Sequence, residues 1–407
     1  MIVLSPLDIL SIYWSGNSII PNNPIRDMFI KNFTWDSILK GAQSFEIVPL
    51  LQYILEQIDY QQGKFITKTI RKQLKKIYYR YIYHIIVLHH ELQRALNALQ
   101  EAGIKVIVLK GAALAETVYK NIALRPMADI DLLIFKKDLG KAKEALLKIG
   151  FRKTEYHSLR DPSKEHPFHL RFVKEGRYPV IIELHWDIAK NPVNIEINEV
   201  MQRAIPAKIG GIDAYVMCPD DLLLYLCWHT AHHHFLRLIW LCDIAQVIKT
   251  YGENINWDII IERAKRGKIK RAVYCSLYLA KSVLGAQVPQ KVLSNLQVSN
   301  IETQIFQSVI LNMEYEKGIM QIQNRLLTIT LQLLIIDKAK DRVFFLINYI
   351  WKLTFPNISY IKVRYSISKP RLAKLYQFLH PFILIYEGLS WGLETVTKKK
   401  FGVRRGV

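Results

Sequence analysis

Cysteine is scarce in this 407-residue chain: there are four, Cys218, Cys227, Cys242 and Cys275, with no Cys-x-x-Cys pair. That excludes a zinc ribbon and a disulfide framework, and it fits a reducing, cytosolic setting. Long apolar runs are missing too. No stretch of ~18 uncharged apolar residues occurs, so a membrane-spanning helix is not expected. The start, Met1-Ile-Val-Leu-Ser-Pro, has neither a basic leader nor a small-residue cleavage site, which argues against a signal peptide. There is no internal repeat and no low-complexity tract. Acid is the minority charge, with 35 Asp and Glu against 56 Lys and Arg, a net charge of +21. Such an excess suits polyanionic company: nucleotide phosphates, nucleic acid or an anionic membrane surface. It is uneven, since Lys64–Arg80 holds seven basic residues and no acid, and Asp337–Val407 holds fourteen against four. A solvated basic surface that helps attract substrate is the plainer reading of both.

Half of the residues are apolar, enough to bury cores in two or three modules. Residues 1–101 read as helical, ending in a long helix from Phe65 to Leu99 whose apolar positions recur every three to four residues up to Gly103. Residues 102–216 change character. Short strands at Ile104–Leu109, Ala128–Phe135, Phe151–Tyr156, Phe168–Lys174 and Val180–Trp186 alternate with helices at Ala112–Tyr119 and Leu139–Ile149, the pattern of a small α/β core. The polar stretch His157–His166 is a loop across its mouth. Residues 217–300 are helical again, with Leu222–Leu226, Phe235–Ile248 and Ile269–Leu284 as the strongest segments. Residues 301–407 form a basic helical tail. Within it, Val343–Trp351 and Leu375–Tyr386 read as packed helices, with peripheral contact on a membrane surface as the alternative.

Chemistry concentrates in two places. Asp129 and Asp131 are two apart in an apolar, strand-like segment, so both carboxylates project on one face. Two acids side by side on a buried strand repel each other unless a cation joins them. Glu183, in Val180-Ile-Ile-Glu-Leu-His185-Trp186, alternates with Ile182 and Leu184 and shares a face with His185. It is the best third acid, and Asp187 is the fallback. Such a cluster can hold Mg²⁺ or Mn²⁺, the cations that serve in-line displacement at the α-phosphate of an NTP. Lys110-Gly111 stands where a strand turns into a helix, a place where backbone N–H groups cradle phosphate. Lys110 and Arg125 are the phosphate candidates, Arg125 through its bidentate guanidinium.

Here the chain resembles a known family. Leu109-Lys110-Gly111, Tyr119, Arg125, Asp129-Ile-Asp131-Leu-Leu-Ile and Glu183-Leu-His185-Trp186 are similar to the uncharacterised nucleotidyltransferase family of the polymerase-beta-like superfamily. So are Trp35, Leu39, Ala42 and Pro49-Leu-Leu upstream, and Trp228-His229, His232-His233 and Leu238-Ile-Trp240-Leu-Cys-Asp243 downstream. The resemblance implies an α+β fold, a small α/β core with a mixed sheet between helical flanks. It places the metal carboxylates at Asp129, Asp131 and Glu183 and implies NMP transfer from an NTP. Two departures stand out. The superfamily's Gly-Ser phosphate loop is Lys110-Gly111-Ala112 here, and Gly111 lies 18 residues before Asp129.

His229, His232, His233 and His234 crowd one helical segment, with His229 and His233 at the i, i+4 spacing of a one-faced metal pair. No glutamate follows His229, so no metalloprotease motif exists. An unbroken helix would carry Asp243 about 15 Å beyond His233. The segment is expected to pack over the core and present His229 or His233 to acceptor or triphosphate; the structural alternative is hydrogen-bonded histidines with an Arg237–Asp243 helix surface. The leading expectation is a Mg²⁺- or Mn²⁺-dependent nucleotidyltransferase whose acceptor is a small molecule, peptide or protein. The alternative is a non-catalytic nucleotide-binding module using its basic flanks on nucleic acid or membrane.

Overall fold

A computed structural model describes residues 5–16, 23–32, 34–35, 46–62, 67–154, 168–189, 193–312, 314–316, 319–321, 325–383 and 386. The expected loop at 157–166, and Leu39 and Ala42, lie outside them. By compactness the chain forms one unit from Met1–Thr154 with Pro167–Lys338 and a second from Glu155–His166 with Ala339–Val407.

In the first unit, helices α1 (Pro6–Ser15), α2 (Pro24–Asn32), α3 (Val48–Gln62) and α4 (Lys68–Glu101) come before the sheet. Ser5 and Asp8 cap α1 reciprocally, each side chain bonding the other's backbone N–H. Thr67 caps the 34-residue α4. It stops where Gly103 takes φ +71° and the Ile104 N–H reaches back to the Leu99 carbonyl at 3.0 Å, a turn that glycine makes at no steric cost.

Among the described residues a seven-stranded sheet follows: β1 (Ile107–Val108), β2 (Ile130–Leu133), β3 (Arg152–Thr154), β4 (His169–Lys174), β5 (Val180–His185), β6 (Ile205–Ile209) and β7 (Ile212–Val216). Their order is β3-β4-β5-β2-β1-β7-β6. β2 runs parallel to β5 and β1 to β7, while the other neighbours are antiparallel, so the sheet is mixed and the class α+β. Helices α5 (Lys110–Thr117) and α6 (Leu139–Lys148) follow β1 and β2, and α7 (Ile197–Arg203) precedes β6. The β6–β7 hairpin goes beyond the strands expected above. Its mark is Gly210-Gly211, both at positive φ, between two alternating apolar runs.

The period of two then sorts the side chains. Ile130, Leu132, Phe172, Ile182 and Leu184 form one core with Leu88, Leu92 and Leu96 of α4 and Leu146 of α6. Fully burying each such side chain is worth about 1.5–3 kcal/mol. The intervening residues Asp131, Glu183, His185 and His169 project from the other face. There Ile107 and Leu133 join the larger core built on α8 (Pro219–His232), α9 (Leu238–Tyr251), α10 (Trp257–Arg266) and α11 (Lys270–Leu284).

The helix expected from Phe235 begins instead at Leu238, and the histidine segment is broken. His234 and Phe235 both adopt left-handed φ, 57° and 58°. The Phe235 N–H bonds the Thr230 carbonyl at 2.8 Å, and its ring is buried against Phe306. Burial of that ring offsets the strain of two left-handed residues, and no glycine announces the turn.

In the second unit, α12 (Ala339–Thr354) precedes α13 (Ile358–Arg364) and a helix at 370–383, and the latter two bracket a small core of Ile361, Ile367 and Ala373. No described residue of α12 is buried. Phe344, Ile347 and Trp351, one turn apart, are 68%, 59% and 61% exposed. Among the described residues no helix is long and apolar enough to cross a membrane.

Candidate active site

Asp131 and Glu183 are register partners across the parallel β2–β5 ladder, which sets their carboxylates side by side on the face away from the Ile182–Leu184 core. Asp129 lies in the bend just before β2 rather than in the strand and is half-buried. Burial and the neighbouring Asp131 push its pKa up to about 7, and Glu183 adds to the effect. The three expected carboxylates are therefore gathered.

Asp131 moves the other way. Burial opposes its charge, but the Lys110 ammonium at 2.8 Å and His185 Nε2 at 2.9 Å hold it well below the usual carboxylate range. Lys110 opens α5 with φ +47°, a left-handed conformation that costs a non-glycine residue about 1–2 kcal/mol. The strained turn aims its amine into the acid cluster. Gly111 serves packing: a Cβ there would come 2.9 Å from the Met127 Cβ. Burial disfavours charge on His185 too, yet its bonds to Asp131 and Glu183 raise its pKa. The same partnership lowers Glu183 despite its own burial, so Glu183 stands ionised.

Arg125 is not in the cluster. It is buried and bidentate on Asp243, Nε–Oδ1 2.7 Å and Nη2–Oδ2 2.8 Å, and Tyr119 donates to the same carboxylate at 3.0 Å. Its Nη1 donates to the Pro126 carbonyl. The guanidinium assigned by spacing to a phosphate is thus engaged in a buried pair. Asp243 is buried rather than on a helix surface, and Arg237 bonds Glu46 instead. Asp187 accepts the Ile188 N–H at 2.7 Å in the turn after β5 and stays out of the cluster.

The histidine helix does lie over the site. The Tyr225 hydroxyl is within hydrogen-bond reach of Lys110, and its ring is 6.0 Å from that of His229. Burial and then the Lys110 charge hold His229 well below the usual histidine pKa, so it is neutral. His233 lies beside it with its ring tilted, 4.5 Å between ring centroids.

Tyr225, His169 and Arg171 were missed in the sequence. Tyr225 is one helical turn before His229. His169 and Arg171 alternate along β4 and stand opposite His185 and Glu183 in the ladder. The alternation was visible, but the cross-strand register was not.

Crowded carboxylate oxygens, one of them driven toward its neutral form, are a charge excess that a divalent cation relieves, and an all-oxygen set fits Mg²⁺ or Mn²⁺. Asp129, Asp131 and Glu183 fit that group.

A mixed sheet carrying this acid cluster on one face, with a lysine at the helix start, is the arrangement the nucleotidyltransferase resemblance implies. The profile described as uncharacterised nucleotidyltransferase matches residues 31–285, and the chain belongs to that family. A crystal structure of ANT(2'')-Ia in complex with adenylyl-2''-tobramycin is similar over 44% of this chain and 95% of its own, with 15% identity and a TM-score of 0.33. A solution structure of the antibiotic-resistance factor ANT(2'')-Ia covers 47% and 96%, with 14% identity and a TM-score of 0.33. No curated protein matches the chain.

Proposed function

We propose that the chain transfers NMP from an NTP to a hydroxyl, phosphate or amine on a small molecule, peptide or protein, in a reaction dependent on Mg²⁺ or Mn²⁺. The in-register pairing of Asp131 with Glu183, with Asp129 beside them, carries this reading. The acceptor atom attacks the α-phosphorus, the bond to the β-phosphate oxygen breaks, and pyrophosphate leaves. Asp129, Asp131 and Glu183 would hold the divalent cation, which when bound would supply charge neutralisation at the reacting phosphates. Lys110 exchanges Asp131 for a triphosphate oxygen. Arg171, on the site face opposite Glu183, takes the phosphate role expected of Arg125. Glu183, ionised, takes the acceptor proton, and His185 shares it. Tyr225 and neutral His229 roof the site and keep water from the nucleotide.

The test is incubation with each labelled NTP, Mg²⁺ or Mn²⁺ and cell extract as acceptor source, following pyrophosphate release. Release that is lost in Asp129→Asn with an unchanged circular dichroism spectrum supports the reading. Failure to bind metal or nucleotide at millimolar concentration overturns it in favour of a non-catalytic module.

Four free cysteines, three of them buried, support a cytosolic setting. A membrane-surface role for the second unit is favoured by one observation: residues 339–383 combine eight basic residues and one acid with the exposed stripe of α12.

A further inference from the structure

Beside the carboxylate cluster, β4 and β5 build a second set of donors. His169 and His185 are direct partners in the antiparallel ladder, and Glu183 is two residues from His185 on the same face. The ligand atoms of all three lie within 4.8 Å of one another. Glu183 Oε1 is 3.9 Å from His169 Nε2, and Oε2 is 3.6 Å from His185 Nε2. The imidazoles are 4.8 Å apart, centroid to centroid, and only 6% and 4% exposed.

We propose that His169, Glu183 and His185 form a site for a borderline transition cation, Zn²⁺ or Co²⁺ in class, distinct in its donors from the Asp129–Asp131 pair. Two imidazole nitrogens and one carboxylate are the ligands such ions prefer, whereas Mg²⁺ takes oxygen and keeps its water. Ligand atoms around a four-coordinate zinc sit roughly 3.3 Å apart, given bonds of about 2.0–2.1 Å. The triad therefore closes on a cation by side-chain shifts of less than the width of an atom, with both strands held in the ladder. Three protein ligands leave a position for water or a substrate oxygen. The proton that His185 shares with Asp131 departs when the cation binds, and Asp131 keeps Lys110 as its partner. The site shares Glu183 with the transfer reaction and so rests on that reading for its role, though not for its existence.

The test uses the full chain, stripped with chelator and titrated with Co²⁺, whose visible band intensity separates four- or five-coordinate binding from octahedral binding, with bound metal counted by equilibrium dialysis. One equivalent of Co²⁺ is expected, undisturbed by excess Mg²⁺. His169→Gln and, separately, His185→Asn weaken it at least about tenfold with the circular dichroism spectrum unchanged, and Asp129→Asn leaves it intact. Equal Co²⁺ binding in His169→Gln, or displacement of Co²⁺ by Mg²⁺ at equal concentration, overturns the proposal. Mg²⁺-dependent pyrophosphate release without Co²⁺ binding sinks this site and leaves the transferase reading standing. Co²⁺ binding without pyrophosphate release does the reverse.

Discussion

Asp129 carries a heavy electrostatic cost in the resting site, because burial and Asp131 both disfavour its charge. An acid whose folded pKa is raised costs stability as pH climbs from its unfolded value toward the folded one, and the full cost is present above about 7. Asp129→Asn should therefore abolish transfer while stabilising the metal-free protein at pH 8, by on the order of 2 kcal/mol, read from urea denaturation. The same proton competes with metal. With a non-hydrolysable NTP present, Mn²⁺ affinity measured by electron paramagnetic resonance should fall as pH drops below about 7. A flat profile would show that Asp129 is not a ligand. Of these residues, Asp131, Glu183 and His185 were legible in the sequence, because alternation along a strand fixes the face of each side chain. His169 was not, since strand neighbours are settled by register between segments that the sequence shows only one at a time.

The elements are tied by pairs far apart in the chain. Arg125, in the approach to β2, meets Asp243 on α9 across 118 positions, a pairing that spacing within one segment does not show. Removing one partner strands a buried charge, so Asp243→Ala should cost about 3–5 kcal/mol by urea denaturation. Replacing both residues with apolar side chains should cost less than either single change. The break between α8 and α9 was illegible for a different reason. His234 and Phe235 turn left-handed because Phe235 must reach the core, and tertiary packing overrides the local preference that marks such turns with glycine. The β6–β7 hairpin is the opposite case: its Gly210-Gly211 turn carries a chemical mark in the sequence, although the strands expected above did not include it.

For the whole molecule, the distribution of charge matters more than its total. The second unit's helices leave apolar stripes in water beside basic side chains, the composition of a helix that lies in a bilayer interface. The full chain should pellet with vesicles containing phosphatidylserine and not with neutral ones, and pelleting should weaken as salt rises. Trp351→Ser with Phe344→Ser should abolish it. Pelleting that survives both changes would assign the contact to another surface.

Lys110 is a counterion that cannot diffuse away. A bare divalent cation approaching the aspartates must displace an ammonium already bonded to Asp131 at 2.8 Å, and it brings no anion to take up that ammonium. A cation already chelated by triphosphate brings that anion with it. Order of addition is thus written into one strained residue: the cation–nucleotide complex should enter the carboxylate pair as a unit, and Lys110→Met should let the naked ion in first.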